Sequence, residues 1–311
     1  MMTREASVEP QWEAFEKARL IASDYDMTQF DTFDPPPGGV GVNEAYAMAI
    51  GKVLGPNALY HYQETGHNNR TPAEIVQSLL GSADGHFLEK LLIRHEDGAS
   101  TAELVDYSEH FSHPHITQGW IDSSDEFLKI FTDIVVATKL APMLRQIGQK
   151  LDDDSFWPRP IEGFLEFART AKQVREDGIP LNTAVVSAGH TPFIKRTYAL
   201  YDLESPDIFV TDELVRDIAP GYPAERRAKP APLPIALTKR GWLELYNISP
   251  STLRDPTIID SINARIKYIG DSKEKDGGLA QIGHVDFIWI DPTSPRLAWQ
   301  ALQGYIKELT I

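Results

Sequence analysis

Several short apolar segments of this chain end abruptly in acidic or small polar residues. They cover residues 20–22, 183–186, 207–210, 266–269 and 285–290. Runs of this length are typical of buried strands. Helical periodicity separates the later segments, so the pattern predicts an α/β fold with a parallel sheet. Ligands of such sheets bind beyond the carboxyl ends of the strands, and Asp24, Ser187 and Asp271 are therefore expected to converge there.

The long interval between the first two of these segments has a different pattern. From about residue 43 to residue 148 the apolar positions recur mostly at helical spacing, and proline-rich stretches at residues 35–37 and 158–160 flank the interval. At about 150 residues a domain, the chain has room for two domains. The sequence therefore predicts an α/β core formed by residues 1–34 and 160–311 and a separate all-helical domain formed by residues 35–159.

Charge and composition narrow the range of partners. Lys and Arg number 30 against 45 Asp and Glu, a formal charge of -15, so the average surface repels phosphate backbones and anionic lipid. The chain contains no cysteine, which excludes disulfide frameworks, thiolate zinc sites and cysteine nucleophiles. No stretch resembles a signal peptide or approaches about 18 apolar residues. These features predict a cytoplasmic protein whose partner is a small molecule rather than nucleic acid or a membrane.

Two carboxylates, Asp24 and Asp26, follow the first predicted strand directly. Two such groups can divide the work of a displacement reaction, one attacking and the other moving protons. A D-x-D pattern alone also fits an Asx-turn at a strand end. The catalytic interpretation depends on three further elements: Ser187 after a second strand, Lys229 before a proline, and the pair Asp271 and Asp276 after a third strand.

These four elements, in this order, resemble the motifs of the haloacid dehalogenase-like (HAD) superfamily, most of whose members are magnesium-dependent phosphohydrolases. The motifs stand here as Asp24-Tyr25-Asp26-Met27-Thr28, Val185-Val186-Ser187-Ala188-Gly189, Ala228-Lys229-Pro230-Ala231-Pro232 and Gly270-Asp271-Ser272-Lys273-Glu274-Lys275-Asp276. The resemblance implies a Rossmann-like parallel sheet flanked by helices. It also implies that the all-helical segment is a cap domain inserted between the first and second motifs, where it would set substrate specificity.

The resemblance also assigns roles to the motif residues. Asp24 would be the nucleophile that forms an aspartyl-phosphate, and Asp26 the general acid and base. Asp24, the backbone carbonyl of Asp26 and Asp271 would hold Mg²⁺, which prefers oxygen ligands. The remaining positions divide into phosphate-binding residues and supporting residues. The first group is Ser187, Ala188 and Lys229, and the second is Thr28, Gly270 and Asp276, with Asp276 holding either Lys229 or the water shell of the metal.

Some assignments keep alternatives. Lys229 lies unusually far before Asp271, which indicates an insertion around residues 242–256 and leaves Lys239 and Lys267 as rivals for its role. His190, near a predicted helix start, is equally compatible with substrate contact and with a structural polar role. The oligomeric state and the physiological substrate are not predicted.

The leading functional hypothesis is a Mg²⁺-dependent phosphatase that acts on a small phosphorylated metabolite. A sugar-phosphate mutase would use the same residues and differ in keeping water out. A phosphonate-cleaving relative would use a cap lysine, for which Lys52 is the candidate, but Asp26 argues against it and against a dehalogenase. A non-catalytic binding module on the same scaffold is disfavoured because every motif position is filled.

Overall fold

The computed structural model describes residues 11–33, 158–211, 214–215, 218 and 228–310. The predicted cap, residues 35–159, lies outside the described residues except for its last two, and so does Lys52. The chain divides into two units, the first of Met1–Asp31, Pro160–Pro220 and Ala224–Ile311 and the second of Thr32–Arg159 and Gly221–Pro223. The all-helical character of the cap stays a prediction.

The first unit contains a five-stranded, wholly parallel sheet. The strands of the described residues are Arg19–Ser23 (β1), Phe30–Asp31 (β2), Arg159–Pro160 (β3), Leu181–Ser187 (β4), Ile208–Thr211 (β5), Ile266–Gly270 (β6) and Asp286–Trp289 (β7). The sheet order is β5-β4-β1-β6-β7, and β2 and β3 form a separate two-stranded pair. β1 lies at the centre, and its last residue, Ser23, is in register with Val185 of β4 and with Ile269 of β6. The predicted α/β, Rossmann-like core is confirmed.

Helices alternate with these strands. The α-helices of the described residues are Trp12–Lys17 (α1), Phe164–Glu176 (α2), Thr191–Leu200 (α3), Pro232–Leu245 (α4), Pro256–Asn263 (α5), Gly278–Gly283 (α6) and Pro295–Glu308 (α7), with a 3-10 helix at Pro250–Arg254 and a π-helical turn at Lys273–Gly277. α2 packs against α7, and α4 packs against β4 and β5. Among the described residues, no helix combines the length and the apolar character that crossing a membrane requires.

One face of the sheet and α4 share the main hydrophobic core. Alternate strand residues point to this face, as the period of a strand requires. They are Leu20, Ala22, Ala184, Val186, Ile208, Val210, Ile266 and Tyr268. Trp242 of α4 is fully buried here, its ring centroid lies 4.8 Å from that of Phe15, and its indole N–H donates to Asn182 Oδ1 at 3.0 Å. The segment expected as an insertion therefore begins inside a helix that covers the sheet.

The opposite face is covered by α2, whose apolar residues recur at helical spacing. Phe164, Phe167, Ala171 and Val174 are all buried. The sequence pattern predicts a helix from about Ile161 to Glu176, and the helix begins at Phe164 and ends at Glu176. Gly163, with φ of 92°, takes a left-handed conformation that glycine adopts without the steric cost of a side chain, and it sets the helix start.

Candidate active site

The carboxyl edge of the sheet gathers the polar residues that the sequence singles out. Asp24 follows the central strand β1. Ser187 ends β4 and Asp271 follows β6, and these two strands flank β1. The Asp24 backbone N–H donates to Ile269 O at 3.0 Å, which continues the β1–β6 pairing up to the site. The predicted convergence of these three strand ends is confirmed.

Lys229 joins two of the motif carboxylates. Its Nζ lies 2.8 Å from Asp24 Oδ1 and 2.7 Å from Asp276 Oδ1. Its rivals have other partners: Lys239 donates to Gly283 O at 2.7 Å, and Lys267 pairs with Asp286. Lys229 is therefore the lysine of the three that faces Asp24.

Asp276 is fully buried, and both of its carboxylate oxygens accept hydrogen bonds. Oδ1 accepts from Lys229 and, at 3.2 Å, from the hydroxyl of Tyr268, while Oδ2 accepts from the backbone N–H of Ser272 at 3.1 Å. Gly270 leaves the space that this carboxyl group fills, since a β-carbon at position 270 would lie well under 3.0 Å from Asp276 Cγ. Of the two roles open to Asp276, the contacts are those of a residue that holds Lys229.

The loop that carries Asp24 and Asp26 is anchored by aromatic residues. Tyr25 and Phe30 are fully buried, their ring centroids are 5.4 Å apart, and the Tyr25 hydroxyl donates to Thr197 Oγ1 at 2.6 Å. Met27, with φ of 57°, turns the chain between them, and its N–H donates to Phe30 O at 2.8 Å. The two carboxylates are thus presented by a loop fixed at both ends.

Ser187 and Asp26 are hydrogen-bonded to each other. The Ser187 hydroxyl donates to Asp26 Oδ2 at 3.3 Å and accepts from the Gly189 N–H at 2.9 Å. A β-carbon at Gly189 would lie 3.2 Å from Ser187 Oγ and 3.4 Å from Asp26 Oδ2, so glycine allows this close approach. Ala188, between them, is exposed. Its predicted phosphate contact stays a prediction.

Asp271 is held by Thr28 and by Trp289. Thr28 Oγ1 donates to Asp271 Oδ1 at 3.2 Å and accepts from the Asp271 N–H at 3.2 Å. The indole N–H of Trp289, at the end of β7, donates to the Asp271 carbonyl at 2.8 Å. Lys273 Nζ lies over the Trp289 ring, 3.5 Å from its centroid. Thr28 therefore links the first and fourth motifs directly, and its supporting role stays a prediction.

Three carboxylates form a candidate metal centre. Asp24, Asp271 and Asp276 each offer an oxygen, and these atoms all lie within 4.8 Å of one another. Burial raises the pKa of Asp24 to about 8, Lys229 opposes the rise, and the charges of Asp276 and Asp26 add to it. Burial also raises the pKa of Asp271.

A divalent cation with oxygen ligands would offset the charge of these buried carboxylates, so the donor set fits Mg²⁺. Because both oxygens of Asp276 already accept protein donors, Asp24 and Asp271 are the more available ligands of the three. The contribution of the Asp26 carbonyl stays a prediction.

Lys229 keeps its charge in this setting. Burial favours the neutral amine, but Asp24, Tyr268 and Asp276 outweigh it and raise the pKa of Lys229 well above its usual value. The ammonium group is therefore a fixed positive charge beside the Asp24 carboxyl group.

The sequence pattern leaves the role of His190 open and does not indicate two further residues of the site, Tyr268 and Trp289. His190 is buried at the start of α3, a placement compatible with either of its expected roles. Tyr268 and Trp289 contact motif residues, but they lie in strands whose pattern indicates only burial. Their roles depend on contacts between segments distant in sequence, which periodicity does not report.

The fold is a Rossmann-like α/β core, and the segments that resemble the four HAD motifs lie together at the carboxyl edge of its sheet. No protein-family model matches the sequence, and no curated protein matches it significantly. Among solved structures, the chain is similar to YfnB of Bacillus subtilis, described as a HAD-hydrolase bound to magnesium, at 13% identity and a TM-score of 0.37, with 93% of this chain and 98% of that chain covered.

A second similar structure is that of a protein from Lactobacillus delbrueckii subsp. bulgaricus, described as a phosphoglycolate phosphatase. Its identity is 17% and its TM-score 0.36, with 95% of this chain and 97% of that chain covered. The chemistry of the site rests on the contacts of this chain's own residues.

Proposed function

We propose that this protein is a Mg²⁺-dependent phosphohydrolase that removes phosphate from a small phosphorylated metabolite through an aspartyl-phosphate intermediate. The observation that carries the proposal is the pairing of Lys229 with Asp24 at 2.8 Å, inside a group of three carboxylates that lie within 4.8 Å of one another. A carboxylate nucleophile, a fixed cation and carboxylate oxygens suited to a metal ion, gathered at one edge of the sheet, are what phosphoryl transfer from an ester requires.

In the first step, a carboxylate oxygen of Asp24 attacks phosphorus, and the bond between phosphorus and the ester oxygen breaks. Asp26 donates a proton to the leaving alkoxide, which departs as an alcohol. Ser187 donates to a phosphoryl oxygen in place of its present acceptor, Asp26. Lys229 stabilises the negative charge on the transferring group.

In the second step, Asp26 takes a proton from water, and the water oxygen attacks the phosphorus of the aspartyl-phosphate. The bond between phosphorus and the Asp24 oxygen breaks, which regenerates the carboxylate and releases inorganic phosphate. Asp24 and Asp271 would hold Mg²⁺, which when bound neutralises substrate charge and polarises the phosphoryl group. Thr28 and Trp289 keep Asp271 in place for this.

The test is hydrolysis of an aryl phosphate and of a panel of metabolite phosphates, with Mg²⁺ and with a chelator. We expect turnover that requires Mg²⁺ and is abolished in Asp24→Asn. Asp286→Asn is the matched control, because Asp286 is an exposed carboxylate that pairs with Lys267 on the sheet surface. The control variant should keep wild-type activity.

The contradicting outcome is absence of turnover of every substrate by folded, Mg²⁺-loaded wild-type protein. Labelling of Asp24 by a sugar bisphosphate in that case would identify a mutase instead. Absence of both turnover and labelling would identify a non-catalytic module.

A further inference from the structure

Tyr268 lies behind the Lys229–Asp276 pair and belongs to none of the four motifs. We propose that Tyr268 is a positioning residue: its hydroxyl fixes the Asp276 carboxylate, which in turn holds Lys229 against Asp24. The catalytic consequence of this role rests on the proposed phosphohydrolase function, whereas the structural role does not.

The position of Tyr268 is rigid. It is a residue of the inner strand β6, it is fully buried, and its ring packs near Phe287, with 6.4 Å between the ring centroids. Its hydroxyl lies 3.2 Å from Asp276 Oδ1 and 3.5 Å from the Val186 carbonyl. A hydroxyl has one proton to donate, and the carboxylate is both the closer and the charged acceptor. The Tyr268 hydroxyl therefore donates its hydrogen bond to Asp276.

Three donors from three separate segments determine how Asp276 is oriented. Tyr268 comes from β6, Lys229 from the segment before α4, and Ser272 from the start of the loop that carries Asp276 itself. The Tyr268 and Lys229 donors share Oδ1, and the Ser272 N–H takes Oδ2. The plane of the carboxyl group is thereby set, with Oδ1 directed at Lys229.

Without the hydroxyl, this orientation is underdetermined. Asp276 belongs to the group of carboxylates within 4.8 Å of one another, so a carboxylate free to turn has a bound cation as a competing partner. Loss of the Tyr268 donor leaves Oδ1 with one donor in place of two and allows that turn. Lys229, which lies 2.7 Å from Oδ1 and 2.8 Å from Asp24 Oδ1, then loses the support that keeps it at the nucleophile.

The variant that tests this is Tyr268→Phe, which removes the hydroxyl and keeps the ring that packs in the core. Tyr246→Phe is the matched control. Tyr246 is also buried, and its hydroxyl donates to Asn182 Oδ1 at 2.8 Å, an acceptor outside the motifs. Both variants lose one buried hydrogen bond, so their Tm values should fall by similar amounts.

We expect Tyr268→Phe to lower kcat roughly tenfold, the effect of one hydrogen bond on a transition state, while KM stays within about twofold of wild type. Tyr246→Phe should change neither. In crystals of Tyr268→Phe, the Asp276 carboxylate should be turned and the distance between Lys229 Nζ and Asp24 Oδ1 should be longer than in wild type. Equal kcat values for wild type and Tyr268→Phe, or an unmoved Lys229, would overturn the proposal.

The two readouts separate this proposal from the proposed function. If the wild-type protein hydrolyses no phosphate ester, the function is wrong, and the crystallographic comparison still decides the role of Tyr268. A displaced Lys229 supports that role, and an unchanged Asp276–Lys229 pair refutes it. If activity falls while Lys229 stays in place, Tyr268 acts by another route and the proposal fails although the function stands.

Discussion

Gly270 and the carboxyl group of Asp276 are in such close contact that no side chain fits at position 270, because an added β-carbon would lie well under 3.0 Å from Asp276 Cγ. Gly270→Ala must therefore displace Asp276 and break its contact with Lys229. We expect a loss of about 1–3 kcal/mol in the free energy of unfolding, as for other overpacked cores, together with loss of the phosphatase activity proposed above. Urea denaturation and kcat measure the two effects.

The control for this substitution is Gly304→Ala. Gly304 lies within α7, and among the described residues no atom outside the helix's own backbone would lie within 4 Å of an added β-carbon. Alanine should therefore favour the helix by about 0.5–1 kcal/mol and leave activity unchanged. Wild-type stability and activity in Gly270→Ala would contradict the tight contact.

Mg²⁺ should stabilise the protein through Asp271. A ligand that binds the folded state alone raises the free energy of unfolding by about 2.7 kcal/mol at a concentration about 100 times its Kd. Asp271→Asn should lose most of this stabilisation, measured as the shift of Tm with added Mg²⁺. Asp291→Asn should retain this stabilisation. Asp291 follows the neighbouring strand β7, but its Oδ1 accepts a hydrogen bond from the Thr293 N–H at 2.9 Å. Equal Mg²⁺ responses in the two variants would remove Asp271 from the ligand set.

Asp26→Asn should impair catalysis according to the leaving group. General acid catalysis contributes about 10²–10⁴-fold, and an alkoxide needs the proton more than an acidic phenolate does. The fall in single-turnover rate should therefore be larger for an alkyl phosphate than for a nitrophenyl phosphate. The comparison between the two substrates is its own control, since a misfolded site would slow both equally.

Lys239 should make stability depend on pH. It is 5% exposed, and burial lowers its pKa to about 8 from a usual 10.5. Between these two values the unfolded chain binds a proton that the folded chain does not, so the free energy of unfolding contributed by this group rises with pH. Wild type should gain stability relative to Lys239→Met from about pH 8 to 10.5 and show no such relative gain below that window. Parallel stability curves for the two proteins would contradict the lowered pKa.

The sequence pattern predicts most of the strands but little of their pairing. Residues 183–186 and 266–269 are correctly predicted as strand, and the structure extends them to Leu181–Ser187 and Ile266–Gly270. The short pair Phe30–Asp31 and Arg159–Pro160 is missed, because two-residue strands carry no periodicity. The order of strands in the sheet is set by contacts between distant segments, which spacing along the chain does not encode.

The residues of the site likewise fall into those that the sequence pattern predicts and those that it does not. The positions of Asp24, Ser187 and Asp271 are predictable because each ends an apolar run, and Lys229 is singled out by the resemblance of its Lys-Pro setting to a HAD motif. Tyr268 is not predictable, since an inward-facing tyrosine in a strand has the pattern of any core residue. Its hydrogen bond to Asp276 depends on a π-helical turn, Lys273–Gly277, that returns the chain towards β6.

The central position of β1 has a consequence for the order of events during synthesis. β1 is translated before both of its neighbours in the sheet, and β4 and β6 follow only after the whole interval up to residue 180. A nascent chain that stops before Leu181 carries Asp24 and Asp26 without either of the strands that β1 pairs with in the finished sheet. The proposed nucleophile, Asp24, is thus translated long before the strands that surround it in the finished sheet.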